Sequence, residues 1–177
     1  MNRRTTLILA SMAPLCLAVA LPTGDASAQQ KQKISYKASA PNTKYTQQLT
    51  LDVGDVPGHQ VRVFEIHRTF PTDAPLINGV QIKETLTRGM SDYTDYNGPS
   101  NSYTVYVLEN GDKFFARTAT LGQANAAGKR STISVGTITG GTGKLVGIKG
   151  TARSSGTSDP KAGFNENQAE IEYWLEK

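Results

Sequence analysis

The chain has 177 residues, of which 37% are hydrophobic and 19% are charged, and its formal net charge is +4. This length fits one domain with an ordinary core. The mild positive charge is scattered along the chain, which argues against a nucleic-acid-binding surface. Cys16 is the only cysteine, so the sequence excludes an internal disulfide bond.

The first residues have the pattern of a cleaved export signal. Arg3 and Arg4 precede an apolar run over 7–21, and small residues end the segment at Ala28. The run is short for a membrane span, which needs ~20 residues. We therefore predict a signal peptide over 1–28, cut after Ala28. The mature protein is then secreted or periplasmic, with no membrane span and no thiol, which favours a bacterial source.

Next in the chain, residues 29–44 are polar and predict a flexible lead-in with one short strand at 34–38. Residues 45–177 form the predicted domain, in which apolar and polar residues alternate between turn signals. The predicted strands cover 48–53, 59–70, 80–93, 102–109, 112–122, 131–138, 145–155 and 168–176. Such strands, adjacent along the chain, predict an all-β fold, a closed antiparallel eight-stranded barrel, because closure leaves no free edge.

Two turns have specific signals. Asn110-Gly111 stands between two strands and predicts a hairpin with a type I′ turn. The glycine cluster at 140–143 predicts a tight turn that needs a positive φ. It is not a phosphate loop, because Leu145 stands where such a loop requires Ser or Thr.

Polar residues on otherwise apolar strand faces are the candidate site residues. In strand 80–93 the apolar face carries two charged residues, and in strand 59–70 the pattern leaves open which face points inward. We expect an apolar cavity with a few converging polar groups, drawn from Glu65 or His67, Glu84, Arg88, Arg117, Tyr103, Tyr106 and Tyr173. The alternative is that the charged residues pair at the barrel mouth or at a subunit interface. The two histidines lack metal-ligand spacing, so no metal site is predicted.

Residues 137–150, TITGGTGKLVGIKG, resemble the glycine hairpin that joins adjacent strands in the allene oxide cyclase and dirigent β-barrel superfamily. Leu145 stands where that hairpin usually has an aromatic residue. The end of the chain, with Glu-Ile-Glu-Tyr-Trp at 170–174, is similar to the closing strand of exported bacterial members. The resemblance implies a calycin-like eight-stranded barrel, no cofactor, and a homo-oligomer, either a trimer or a dimer.

Three functions follow from these patterns. The leading hypothesis is an exported barrel that binds a small apolar or aromatic molecule in its lumen, with Arg88, Arg117, His67, Tyr103, Tyr106 and Tyr173 as ligand contacts. The second, implied by the resemblance, is a cofactor-independent cyclase or isomerase in which Glu84 or Glu65 moves protons. The third is a structural barrel without a ligand. Whether the chain is an enzyme stays open at this stage.

Overall fold

The computed structural model describes residues 30–159 and 162–176, and the signal peptide predicted over 1–28 lies outside them. The described chain is almost entirely β-structure. Its strands are β1 (Gln32–Ala38), β2 (Thr43–Asp52), β3 (His59–Thr69), β4 (Leu76–Ile77), β5 (Val80–Thr94), β6 (Gly98–Leu108), β7 (Lys113–Ala124), β8 (Arg130–Gly141), β9 (Ile148–Asp159) and β10 (Phe164–Leu175). Two single 3-10 turns, Ala40–Asn42 and Gly143–Leu145, complete the elements.

Nine strands form one antiparallel sheet in the order β1-β10-β9-β8-β7-β6-β5-β3-β2, and the short β4 pairs with β5. The all-β antiparallel class is therefore confirmed. The closed barrel is not, because β1 and β2, at the two ends of this order, form no ladder with each other in the described chain. No helix of the described residues is long and apolar enough to cross a membrane.

The predicted lead-in contributes a strand to this sheet. Residues 32–38 pair along their whole length with β10, from Gln32 opposite Tyr173 to Ala38 opposite Asn167. Lys33 and Lys37 on this strand form ion pairs with glutamates of β10. The polar composition of the segment thus reflects its exposed face, and the strand expected at 34–38 begins two residues earlier.

The Asn-Gly hairpin is present, but its turn differs from the prediction. The amide of Gly111 donates to the Leu108 carbonyl at 2.9 Å, and the Leu108 amide donates to the Asp112 carbonyl at 2.9 Å. Gly111 has a φ of +85°, whereas Asn110 is not among the residues with positive φ. This is a type I turn followed by a glycine bulge, and the type I′ prediction was wrong.

The sheet is curved, so that side chains from distant strands meet on its concave face. The Tyr36 hydroxyl of β1 lies 3.5 Å from the Tyr106 hydroxyl of β6. The Asn165 side-chain amide of β10 donates to the Tyr45 hydroxyl of β2 at 3.4 Å. These contacts place β1 and β10 opposite strands that are far from them in the sheet order.

An apolar cluster fills one end of the concave side. Its buried members come from β1, from β4 to β10 and from the turns after β3 and β8. The largest fully buried ones are Ile77, Ile82, Phe114, Leu145, Ile148, Ile171 and Tyr173. Gly143 has a φ of +56°, which confirms the turn predicted at 140–143. The turn brings Leu145 into the cluster. This packing closes one end of the sheet and leaves the other half of the concave face for polar residues.

The convex face carries an apolar band across neighbouring strands. Leu49 lies opposite Val63, and Val63 lies opposite Met90. The same row passes Asn101 on β6 and Ala119 on β7 and reaches Val135 on β8. Leu49, Val63, Met90 and Val135 are 53–63% exposed. We call these four residues the outer apolar band. The usual arrangement of a β-sheet, with its apolar side inward, is thus partly inverted in this half of the molecule.

Candidate functional site

A cavity of about 120 Å³ lies on the concave face beyond the apolar cluster. Its walls come from every strand except β4. Most of the lining is made of three kinds of side chain: serine and threonine hydroxyls, aromatic rings and arginines. The arginines are Arg62, Arg68 and Arg130, together with Arg153, which is exposed. The other lining residues are Ile66, Ala152, Gly156, Asn165, Asn167 and Ala169. The residues that line it include no aspartate, glutamate or histidine. Its chemistry is therefore that of hydrogen-bond donors and acceptors with a positive charge.

Hydroxyl groups cover the wall formed by β5 to β8. They are hydrogen-bonded in pairs across neighbouring strands, which satisfies polar groups that face inward. The oxygen–oxygen distances are 3.0 Å for Thr87 and Thr104, 2.8 Å for Ser102 and Thr118, and 2.8 Å for Thr120 and Ser134. This wall follows directly from the sequence, since every second residue of these strand segments is Ser or Thr.

The adjoining wall is formed by β3, whose inward face alternates Arg62, Phe64, Ile66 and Arg68. Phe64 lies against β5 at Gly89, where a side chain would come within 2.8 Å of the ring. The absence of a side chain at Gly89 therefore leaves room for the Phe64 ring. The Arg62 guanidinium stacks 5.2 Å from the Phe64 ring centroid and 5.3 Å from that of Tyr45. Such stacking holds a guanidinium without a carboxylate partner.

Arg68 lies at the inner end of the cavity, near two tyrosines. Its Nη1 donates to the Thr87 hydroxyl at 3.3 Å. Burial lowers the pKa of Arg68, and the nearby Tyr36, Tyr45 and Tyr106 act in the opposite direction. Burial also raises the pKa of Tyr36 well above its usual value, and that of Tyr106 in the same direction. Both phenols are thus neutral at physiological pH and leave the arginine's charge uncompensated.

Arg130 supplies a third guanidinium from β8. It is only 7% exposed, its Nε donates to the Ser158 hydroxyl at 3.3 Å, and its guanidinium lies 5.2 Å from the Tyr93 ring. Within residues 30–159 and 162–176, no carboxylate lies within ion-pair distance of any of these three arginines. The cavity is therefore a positively charged space lined with aromatic rings and hydroxyls.

Four of the predicted site residues lie together on the convex face. Arg88 pairs with Glu65 at 2.7 Å, and His67 pairs with Glu84 at 2.7 Å. The inward orientation predicted for Glu84 and Arg88 was wrong, whereas the sequence left the facing of Glu65 and His67 open. A bulge at Lys83 shifts the β5–β6 register between Ile82 and Glu84, so Ile82 and Thr85 face inward while Glu84 and Arg88 face outward. On β3, the face that carries Glu65 and His67 points outward.

The other four predicted residues are divided between the two faces. Arg117 lies 5.8 Å from the Tyr103 ring, and both are exposed on the convex side, with Tyr103 at 60%. Their inward placement was therefore also wrong. Tyr106 lines the cavity as predicted. Tyr173 is buried in the apolar cluster, where its hydroxyl accepts from the Asn78 amide at 2.9 Å and donates to Gln32 Oε1 at 2.6 Å. Its hydrogen bonds are structural.

Sequence reasoning missed Arg62, Arg68 and Arg130 and the hydroxyl wall. The signal that could have found the hydroxyl wall is the alternation of Ser and Thr in 100–104 and 118–120, which marks one polar face on adjacent strands. The expectation that the inward face is apolar concealed it. The arginines at 62 and 68 share one face of β3, and only the structure shows that this face points inward.

No protein-family model matches the sequence, and the comparison with curated proteins found no match. Among solved structures, the pterocarpan synthase dirigent protein is similar, with a TM-score of 0.52 and 13% identity over 96% of this chain and 98% of that one. Pyocyanin demethylase has a TM-score of 0.44 and 18% identity over 78% of this chain and 99% of that one. The dirigent-like fold predicted from the glycine hairpin is thus confirmed at the level of the fold.

Proposed function

We propose that the protein binds a small aromatic molecule in the cavity on its concave face. The observation that carries this proposal is the lining itself. Protein interiors are normally filled with apolar side chains to crystal-like density, whereas here hydroxyls, guanidiniums and ring faces surround about 120 Å³ of unfilled space. A structural barrel has no need of such a lining, because an apolar core would stabilise it more.

The size of the cavity limits the ligand. Sites for drug-sized ligands have volumes of ~300–1,000 Å³, whereas an apolar cavity of ~150 Å³ holds one benzene molecule. A volume of about 120 Å³ is somewhat smaller than that, so the ligand is limited to one aromatic ring, with any substituent held among the polar groups of the lining. Phe64, Tyr45 and Tyr106 supply ring faces for it, and the hydroxyl wall supplies hydrogen bonds that orient its polar substituent.

The cyclase alternative is less well supported. It requires Glu65 or Glu84 to move a proton on a bound substrate, and a general acid or base has to lie within hydrogen-bond reach of that proton. Both glutamates are on the convex face in ion pairs, and the cavity lining holds no carboxylate. Binding without acid–base chemistry by these residues is the function that the geometry supports best.

The test is ligand-induced thermal stabilisation with a matched pair of variants. One-ring aromatic compounds are added to the purified protein, and a ligand at 100 times its Kd stabilises by ~2.7 kcal/mol, which raises Tm by about 5–11 °C for a domain of this size. Ser134→Leu places a larger side chain in the cavity, whereas Ser131→Leu, on the same strand, places it on the exposed face.

We expect stabilisation of the wild type and of Ser131→Leu, and its loss in Ser134→Leu. Circular dichroism of both variants confirms that the sheet is intact. The proposal fails if no one-ring compound shifts the wild-type Tm. It also fails if Ser134→Leu is stabilised as much as the wild type, because the ligand is then bound elsewhere.

We also propose that the protein is exported and acts after cleavage at Ala28. The charged start, apolar run and small residues before position 29 support this, and β1 begins only at Gln32, so the cut leaves the sheet intact. The full-length chain expressed in a bacterium is expected in the periplasm or medium, with an intact mass that starts at Gln29. A product that keeps residues 1–28 contradicts the proposal.

A further inference from the structure

The cavity contains cationic groups without anions to balance them. Arg62, Arg68 and Arg130 reach it from two walls, and their polar contacts in the described chain are neutral side chains. Removing a charge from water is costly unless a partner compensates for it. Carboxylates are available on the same strands, since Glu65 belongs to β3 and Glu84 to β5. Both face outward, where Glu65 pairs with Arg88 and Glu84 pairs with His67.

Arg68 is the clearest case. Its guanidinium makes one hydrogen bond, from Nη1 to Thr87, while Nε is buried without a hydrogen-bond partner. It is not stacked on a ring, unlike Arg62 and Arg130. A buried donor left unpaired costs free energy, so a hydrogen-bond acceptor at this position stabilises the guanidinium.

The surroundings of Arg68 suit a planar anion. Tyr36 and Tyr106 place neutral hydroxyls near the guanidinium. The Tyr36 hydroxyl donates to that of Tyr106, which leaves the Tyr106 hydroxyl as a further donor for an oxyanion. Arg62 lies six residues along the same face of β3, with its Nε also buried and unpaired. Between these two arginines, Phe64 and Tyr45 offer apolar ring surface. A guanidinium binds a carboxylate through two parallel hydrogen bonds, which a neutral group does not reproduce.

We infer that the ligand is an aromatic carboxylate of one ring, with its carboxylate bound at Arg68 and its ring against Tyr106 and the Tyr45–Phe64 pair. This inference rests on the proposed function and specifies its ligand class. The carboxylate supplies the missing negative charge, the ring matches the volume of about 120 Å³, and the hydroxyl wall accommodates ring substituents. A neutral aromatic molecule leaves the arginines uncompensated and binds more weakly.

The experiment compares isosteric acids and amides at constant ionic strength. Calorimetric titrations use benzoate against benzamide, 4-hydroxybenzoate against 4-hydroxybenzamide, and sulfate as an anion without a ring. Because hydrogen bonds to a charged group exceed neutral ones in strength, we expect each acid to bind at least about ten-fold more tightly than its amide. Sulfate is expected to bind more weakly than benzoate.

Variants assign the preference to the cavity. Arg68→Gln is expected to remove the preference for acid over amide, whereas Arg88→Gln and Arg117→Gln, which change arginines of the convex face, are expected to keep it. If amides bind as well as acids in every pair, the ligand-class inference is overturned while the proposed function stands. If neither acids nor amides bind, both fail. If sulfate binds as tightly as benzoate, the site is an anion site without ring recognition and the inference is wrong.

A second readout needs no ligand. If Arg68 is kept for binding at the expense of stability, Arg68→Met should fold and have a raised Tm in the absence of ligand, by about 2–4 °C for each kcal/mol gained. The same variant should lose benzoate binding. A large fall in Tm for Arg68→Met would show that the guanidinium is satisfied within the fold, which contradicts the inference regardless of which ligand is tried.

Discussion

Tyr173→Phe removes one oxygen atom from the centre of the apolar cluster and tests whether that residue is structural. The side chain is 1% exposed, and its hydroxyl joins three segments: β10, the start of β1 at Gln32, and the β4–β5 turn at Asn78. Each neutral hydrogen bond contributes ~0.5–1.5 kcal/mol net, so the loss of two predicts about 1–3 kcal/mol. The Asn78 end is exposed to water, which favours the lower half of this range.

The expected result is a fall in Tm of about 2–8 °C, at 2–4 °C per kcal/mol for a domain of this size, with unchanged binding in the cavity. Thermal unfolding followed by circular dichroism measures the first quantity and calorimetric titration the second. Tyr103→Phe is the control, because Tyr103 is 60% exposed and should change Tm little. Unaltered stability of Tyr173→Phe together with weakened ligand binding would refute the reasoning. It would show that Tyr173 contacts the ligand, as the sequence analysis expected.

Three further predictions concern the core, a surface histidine and the convex face. Phe114→Ala, which empties a fully buried position stacked 4.1 Å from Tyr106, should destabilise by ~3–5 kcal/mol in chemical denaturation; a loss below 1 kcal/mol contradicts the described packing. Hydrogen bonds to Asp92 and Asp55 raise the pKa of His59, so the stabilisation from its charge should be complete below about pH 6.5 and vanish as the pH rises through the raised folded-state pKa. A Tm difference between the wild type and His59→Gln that does not shrink over this window, or an imidazole pKa at or below 6.5 by NMR, argues against it. If the homo-oligomer expected from the sequence forms through the outer apolar band, Val63→Lys should shift the protein towards monomers in light scattering, and a wild type that is already monomeric excludes this interface.

Most of the strands could be predicted from the sequence because their signals are local. Alternation over 59–70 and 80–93 and the turn residues after them depend only on neighbouring residues, and the observed β3 and β5 agree with them within one residue. The last strand was predicted less accurately, since β10 begins at Phe164 rather than at 168. Its first residues are polar because they face a polar cavity.

The candidate site could not be predicted because its inward face is polar, whereas the inward face of a sheet is usually apolar. Placing apolar residues inward assigned Arg88 and Arg117 to the interior, whereas the convex face carries the apolar band and the concave face carries hydroxyls and other arginines. The single extra residue at Lys83 also reverses the facing of everything after it on β5. A bulge of this kind has no sequence signature, since Lys83 is an ordinary strand residue and not a glycine.

The distinction between the two faces of β6 gives the most direct test of the central claim. Successive residues of this strand alternate between the cavity and the convex surface: Thr104 and Tyr106 point inward, whereas Tyr103 and Val105 point outward. In an NMR titration with benzoate, we expect side-chain shifts to change at the inward pair and to stay constant at the outward pair. Changes confined to the outward residues, or no change at saturating benzoate and 4-hydroxybenzoate, would contradict binding in the cavity.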